Sequence, residues 1–544
     1  MELEELIKQK LSEIVSSLGV EISKDSIVIE HSKVKEHGDL ATNVAMKLAS
    51  SLHKAPSLIA DEIISRFSLE GVSKVEKAGP GFINFFLEHE SVQGIVKEIC
   101  DLKENYGVSK VGKGVKVNVE YVSANPTGAL HLGHARGAAI GDSLTRILKK
   151  ASYDVTREYY VNDAGNQINN LARSLQVRYL EECGQKGLEL PENGYHGKDI
   201  IAFAKVIKEK YGEKYVEDNE ENFEFFKDEG SKIALEKIVS DLHDFRVDFD
   251  VFTSEKAIRK AHKVDEVVKE LKPFCYESEG ALFLNTTKDG DDKDRVIVKS
   301  DGSYTYLLPD IAYHKDKFDR GFDKLIDLFG ADHHGYIARI KSSMKSLGYN
   351  PDNLEVKLVQ MVRLFKDGAE YKMSKRTGNA VSMKELIEEV GVDAVRYFFN
   401  SRASSQHLDF DLDLAKTMGS TNPVYYCQYA HARLSTLISM GKDQGFDIDV
   451  SGNGLVDDSE IALMKSLAEY KKVVEDAALS YSPHKITIYV RKLASDVNDF
   501  YTRCRVLDKD NKEITSARLG LCLASKIVLQ DGLSLLGVNA PDHM

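Results

Sequence analysis

Apolar residues recur at helical spacing near both ends of the chain and at strand spacing through its middle. Leu3, Leu6, Ile7, Leu11, Ile14, Val15 and Leu18 share one face of an N-terminal helix. Helical patterns follow through Leu40–Leu48 and Leu58–Ile64, and the turn Gly79-Pro80-Gly81 feeds a strand over Phe82–Leu87. Leu102–Gly114, rich in lysine and glycine, reads as a linker. Val115, Val117 and Val119 then alternate with polar residues and run into Tyr121 and Val122, which predicts a strand. Asn125-Pro126-Thr127-Gly128 is a turn signal, and Ala135, Ile140, Leu144 and Leu148 carry a helix beyond it. A second strand over Val155–Val161 completes a βαβ unit, hence a parallel sheet. The charged span to about Leu271 reads as helical and poorly patterned for a sheet. Sheet patterns return at Val296–Val298, Tyr304–Asp310, Leu325–Phe329 and Lys357–Leu364. After Asn400 the chain is helical to its end, apart from a Gly/Asp-rich connector over Gly441–Asp458. The fold class is therefore α/β: an α/β module over residues 1–110, a parallel-sheet domain over 111–400 with a helical insertion at about 165–271, and an all-α part over 401–544. No internal repeat is visible.

Composition narrows this little. Hydrophobic residues at 42% and charged residues at 29% exclude a disordered or membrane class. No apolar run reaches membrane-spanning length, and the acidic, amphipathic MELEELIKQK is unlike a targeting peptide, so a cytoplasmic protein with no membrane partner is expected. The six cysteines are scattered without a CxxC, which argues against a structural zinc and a disulfide framework. A net charge of −13 argues against a non-specific nucleic-acid binder. An RNA partner would need local basic patches and stacking surfaces.

The candidate chemistry lies in the first strand–turn–helix. Free N–H groups and the helix dipole at such a start favour phosphate. His131 and His134, three apart, share a helical face and could donate to a phosphoryl group, while Gly133 would let a flat base lie on the backbone. Gly137 and Gly141 suit close packing on the sheet. Polar surface, satisfied interior histidines and zinc ligation remain open for an HxGH alone. Asn162–Gln167, at the C-terminal end of the second strand, is either an Asx turn capping the next helix or part of a site where open α/β sheets hold ligands. His333-His334 invites a metal, but no third ligand is apparent. Lys372-Met373-Ser374-Lys375-Arg376 sits between Gly368 and Gly378 as a mobile hairpin loop. Alone it would be a solvated lysine turn.

Together, His131-Leu132-Gly133-His134 and the Lys372–Arg376 segment resemble the signature pair of class I aminoacyl-tRNA synthetases, and EYVSANPTGALHLGHARG resembles the arginyl-tRNA synthetases. The resemblance covers the full length. It implies a Rossmann-like catalytic domain, an N-terminal domain that contacts the tRNA elbow, and a C-terminal anticodon-binding bundle entered through the Gly391–Tyr397 junction. It implies two-step ligation of L-arginine to tRNA(Arg) through an adenylate made from ATP with Mg²⁺, ending on the 2′-hydroxyl of the terminal adenosine. His131, His134, Lys372 and Lys375 would be catalytic, with Gly133, Met373 and Ser374 completing the ATP site. Many family members lack the second loop lysine and carry one upstream of the HxGH; here Lys375 is present and the upstream position is Gly128. Glu120, Ser123, Asn125, Tyr306 and Asp310, with Asp332 and His333, would bind arginine, two carboxylates and a phenol suiting a guanidinium and an α-ammonium. Phe82 and Asn84 would read the D-loop, and Tyr425, Gln428, Tyr429 and Met544 would approach the anticodon. A monomer is expected. The competing readings are another class I synthetase and a silent RNA-binding paralogue. The intact His131, His134, Lys372 and Lys375 oppose the second.

Overall fold

The computed structural model describes residues 2–32, 37–87, 89–331, 335–371 and 381–544. Its centre is a five-stranded, all-parallel sheet in the order Leu354–Val359, Lys324–Gly330, Lys116–Glu120, Asp154–Val161, Val251–Ser254. The chain-order-first strand lies in the middle, so successive strands are laid to one side of it and later ones to the other. That reversal opens a crevice at the strands' carboxyl ends, where such sheets hold ligands. Val117 and Val119 of the first strand are fully buried, which explains their apolar character.

The helix Leu132–Lys150 crosses behind the first strand. A Cβ at Gly141 would strike the Tyr121 ring, so glycine there permits close helix–sheet packing, whereas Gly137 faces open space. Two buried arginines fix this helix. Arg136 donates to the carbonyls of Gln360 (2.8 Å), Gln406 (2.8 Å) and Ala403 (3.1 Å). Arg396, in the helix Val392–Phe399 beyond Gly391, pairs with Asp142 at 2.5 Å and donates to the Leu536 and Phe245 carbonyls. The central sheet and the C-terminal helices thereby share one core, with Ile147, Tyr397 and Leu493 all in it.

Several elements differ from the sequence reading. Leu40–Thr42 is a strand of the N-terminal antiparallel sheet, with the helix beginning only at Val44. Within the span read as wholly helical, Val251–Ser254 pairs with Glu158–Val161 as the edge strand of the central sheet. Four residues are too few to show a period. Tyr304–Asp310 is not a strand. Tyr304 makes only an isolated bridge to Val298, and the helix Leu307–Asp319 starts three residues on, with Pro309 in its first turn where a missing N–H costs nothing. The run Lys357–Leu364 is split: Leu354–Val359 stays in the central sheet, while Val362–Lys366 pairs with Leu408–Asp411 and Ala369–Glu370 elsewhere. Arg295–Val298 is a strand, but in a separate antiparallel sheet with Ala281–Leu284 and Cys275–Ser278.

The N-terminal module has its own core, from Ile7 to Phe85. The following helix His89–Leu102 instead sends Val92, Val96 and Ile99 into the main core, although the sequence reading carried the module to residue 110. The supposed linker is anchored. Tyr106 is buried against Tyr470 and donates to the Leu467 carbonyl at 2.8 Å, and Ser109 donates to Glu475 at 2.6 Å. Beyond Asn400 the structure is a bundle of the helices Pro423–Asp443, Asp458–Leu479, His484–Arg503 and Lys512–Leu535. Among the described residues no helix is long and apolar enough to cross a membrane.

Candidate active site

The crevice is built from the ends of the central strands. After Glu120 the backbone turns sharply: Val122 and Ser123 hold φ of +68° and +38°. A β-branched residue in that region is strained, and the strain folds Ser123 back over the strand end. Its hydroxyl donates to Glu120 Oε1 at 2.9 Å and accepts from the Tyr160 N–H at 3.1 Å. The chain then passes Asn125, whose amide meets Gln167, and reaches His131.

His131 is not on the helical face with His134, as the spacing suggested. It is the N-cap, in extended conformation, and its Nδ1 accepts the Gly133 N–H at 3.1 Å. His134 closes a capping box, its Nδ1 accepting the His131 N–H at 3.4 Å. The rings stack with centroids 3.7 Å apart. Burial and its neighbour hold His134 down at about 4, and burial lowers His131 too. Both imidazoles are therefore neutral at physiological pH. With each Nδ1 accepting, the proton sits on Nε2, which leaves one outward donor per ring. His131 also bridges Ser382, and the Met383 N–H donates to the Leu130 carbonyl at 2.7 Å. The chain thus rejoins the histidine turn directly after residues 372–380. Lys372, Met373, Ser374 and Lys375 lie outside the described residues, as do Asp332 and His333.

The other wall is acidic. Glu120, 5% exposed, does not stand free: its Oε2 accepts from the fully buried Lys317 at 2.5 Å. Lys317 also donates to Asp327 at 2.9 Å, and His314 Nε2 meets Asp327 at 2.8 Å. Burial opposes charge on His314, but Asp327 outweighs it and raises the imidazole. Glu158 is answered by Arg320 at 2.8 Å, and Glu255 by Arg259 at 2.6 Å. Asp310 differs. Its described side-chain partner is the Tyr336 hydroxyl. Burial pushes it up to about 6, with Tyr336 and His314 opposing and the Glu120 and Glu255 charges adding. The Tyr313 hydroxyl is buried with no hydrogen-bond partner among the described residues, the buried Tyr160 hydroxyl lies toward Glu255, and the two rings are 4.4 Å apart. Tyr306, by contrast, is 77% exposed at the start of the Leu307–Asp319 helix. Tyr160, Glu255, Tyr313, His314, Lys317 and Asp327 also stand along this wall and were not singled out as site residues by the sequence. Only His314 and Lys317 left a signal, since they follow Asp310 at helical spacing.

The RNA candidates are scattered. Phe82 is partly exposed on the N-terminal sheet, while Asn84, in the same strand, is buried. Tyr425 and Tyr429 stack with centroids 6.0 Å apart, and Arg433 lies over Tyr429 at 4.7 Å. Met544 is exposed. Gln428 is nearly buried, and its amide donates to Asp393 and to the Asn539 carbonyl, both at 2.9 Å, which ties the C-terminal segment to this helix.

Residues 96–434 match the family of class I (R) tRNA synthetase catalytic domains, residues 1–87 the arginyl tRNA synthetase N-terminal domain, and residues 427–544 the DALR anticodon-binding domain. An arginine–tRNA ligase of Halalkalibacterium halodurans is 50% identical over 554 residues, covering 100% of each chain. One of Bacillus subtilis is 48% identical over 553 residues, covering 100% of this chain and 99% of the relative. The solved arginyl-tRNA synthetase of Thermus thermophilus superposes with a TM-score of 0.76 at 22% identity, covering 100% of both chains, which speaks to the fold alone.

Proposed function

The chain belongs to the arginyl-tRNA synthetase family and is a class I arginine–tRNA ligase, and from that premise we propose a division of labour among its residues. The observation that carries the arginine site is the balance of charge. Glu120, Glu158, Glu255 and Asp327 each already face a lysine or arginine, whereas Asp310 faces a phenol. The guanidinium belongs against Asp310, with the Tyr160 and Tyr313 hydroxyls as further acceptors. Glu120, with Ser123 and Asn125 on the same strand-to-helix turn, takes the α-ammonium. That places the substrate carboxylate toward the histidines.

The first step is attack of that carboxylate on the α-phosphorus of ATP, with release of pyrophosphate. The nucleophile is already anionic, so no general base is required and catalysis is positioning and charge stabilisation. His131 and His134 donate their Nε2 protons to phosphate oxygens, and Gly133 leaves room for the adenine. Lys372 and Lys375 neutralise the departing pyrophosphate, and Met373 and Ser374 shape their loop. Mg²⁺ enters as the counter-ion of ATP. The 2′-hydroxyl of the terminal adenosine of tRNA(Arg) then attacks the acyl carbon of the adenylate, forming the ester and releasing AMP as the acyl–phosphate bond breaks. Phe82 contacts the elbow of the tRNA, and the Tyr425–Tyr429 stack and Met544 contact its anticodon. The enzyme acts in the cytoplasm as a monomer. Aminoacylation of total tRNA with each of the twenty amino acids tests this reading. Charging with arginine that His134→Ala leaves untouched would defeat the assigned phosphate site.

A further inference from the structure

The polar residues beneath the arginine pocket form one continuous path. Glu120 Oε2 accepts from Lys317 Nζ at 2.5 Å, and Lys317 donates also to Asp327 Oδ1 at 2.9 Å. Asp327 Oδ2 meets His314 Nε2 at 2.8 Å, and His314 Nδ1 meets the Asp310 carbonyl at 2.7 Å. Lys317 and Asp327 are wholly buried, and His314 and Glu120 nearly so. Asp310, His314 and Lys317 stand four and then three residues apart on the helix Leu307–Asp319, so one helical face carries the path. A carbonyl cannot donate, so His314 Nδ1 bears a proton, and Nε2, facing a carboxylate, bears the other. The path therefore holds two anions and two cations. It runs from the Glu120 carboxylate to the backbone of Asp310.

We propose that Lys317 is a positioning residue for arginine: its ammonium, bonded to Glu120, holds that carboxylate in place without touching the substrate. The proposal rests on the reading that Glu120 faces the amino acid. Without Lys317, Glu120 and Asp327 would share a dry site with His314 as the only remaining cation of the path. Like charges in such a site repel. Glu120, at the edge of the path and open to the pocket, would then swing from the position that the α-ammonium requires. The 4.3 Å contact of Lys317 Nζ with the face of Tyr313 gives the ammonium a second fixed neighbour and ties the aromatic wall to the same cation.

The test is a double-mutant cycle between Lys317→Met and Glu120→Gln, read as Michaelis constants for arginine and for ATP in steady-state aminoacylation by the full chain. Lys317→Met should raise the arginine KM by at least about tenfold, while the ATP KM stays within about twofold. Lys317→Arg should recover most of the loss. The double variant should be no worse than Glu120→Gln alone, because the lysine acts only through that carboxylate. A residue that merely supports the fold would lower the melting temperature and leave the arginine KM of the folded fraction unchanged. If Lys317→Met does not fold, Lys317→Gln, which keeps donors but no charge, is read in the same way. Should Glu120→Gln weaken arginine use while neither lysine variant does, the positioning role is overturned and the pocket assignment stands. If Glu120→Gln itself has no effect, the pocket assignment is wrong and the role of Lys317 falls with it.

Discussion

Replacing Asp310 by Asn removes one negative charge and keeps the shape of the side chain. The wild-type carboxylate is buried, its described partner is the Tyr336 hydroxyl, and it is pushed up to about 6 from a usual 3.8. An arginine bound there would lose its charged acceptor in a site where water cannot replace it. That should cost roughly 2–5 kcal/mol in arginine kcat/KM, about thirtyfold to several thousandfold. The ATP KM should hardly move, because the phosphates are held at the histidine turn. The same carboxylate sets a pH dependence. Only its ionised form attracts the guanidinium, so the wild-type arginine KM should climb as pH falls through about 6. The Asn variant should show no such climb. Stability moves the other way. A carboxylate raised on folding binds its proton more tightly folded than unfolded, so it penalises the folded state above about 6 and not below 3.8. At pH 7 the Asn variant should therefore melt higher than wild type, by a margin worth at most about 3 kcal/mol, and the gap should close by pH 4. Arginine- and ATP-dependent aminoacylation between pH 5.5 and 8, with thermal melts at pH 4 and 7, supply the readings. If arginine kcat/KM falls by less than about tenfold, the guanidinium does not sit against Asp310 and the charge-balance argument is refuted.

Lys375→Ala should slow single-turnover arginine activation by an amount worth about 2–4 kcal/mol with ATP binding nearly intact, because the charge it meets develops as pyrophosphate leaves. A rate within about threefold of wild type would make the lysine dispensable. Pyrophosphate exchange into ATP should depend on cognate tRNA, since docking along the C-terminal helices is expected to order the site, and equal rates with and without RNA would remove that expectation. Arg396→Met should destabilise the protein by about 2–4 kcal/mol, because the Leu536 and Phe245 carbonyls would lose their donor and Asp142 one of its two partners, with Arg146 at 2.8 Å remaining. Equilibrium denaturation giving less than about 1 kcal/mol would show that the guanidinium does not hold the two domains together.

Local pattern alone carried the parallel α/β centre, the helical C-terminal part and the helix start at the histidine turn. Alternating valines at residues 115–119 can satisfy only a buried strand, and the Asn-Pro-Thr-Gly turn and His131 mark a helix start within a few residues of it. Those signals are local, and local chemistry survives in the order of residues. The tertiary structure decided what depends on distance across the fold. His131 looked like a helical neighbour of His134, but its position as N-cap fixes its tautomer through a backbone N–H. Tyr304–Asp310 has the composition of a strand, yet packing of Leu307, Leu308 and Ile311 into a common core makes it the start of a helix. Glu120 and Asp310 were both legible as carboxylates. Which of them is already neutralised depends on Lys317, 197 positions from Glu120, and no pattern along the chain records that pairing. The bond of Gln428 to the Asn539 carbonyl, 111 positions away, is likewise written nowhere in the local pattern. Charge compensation in a buried site is set by three-dimensional neighbours, so which of Glu120 and Asp310 already faces a cation could be read only from the fold.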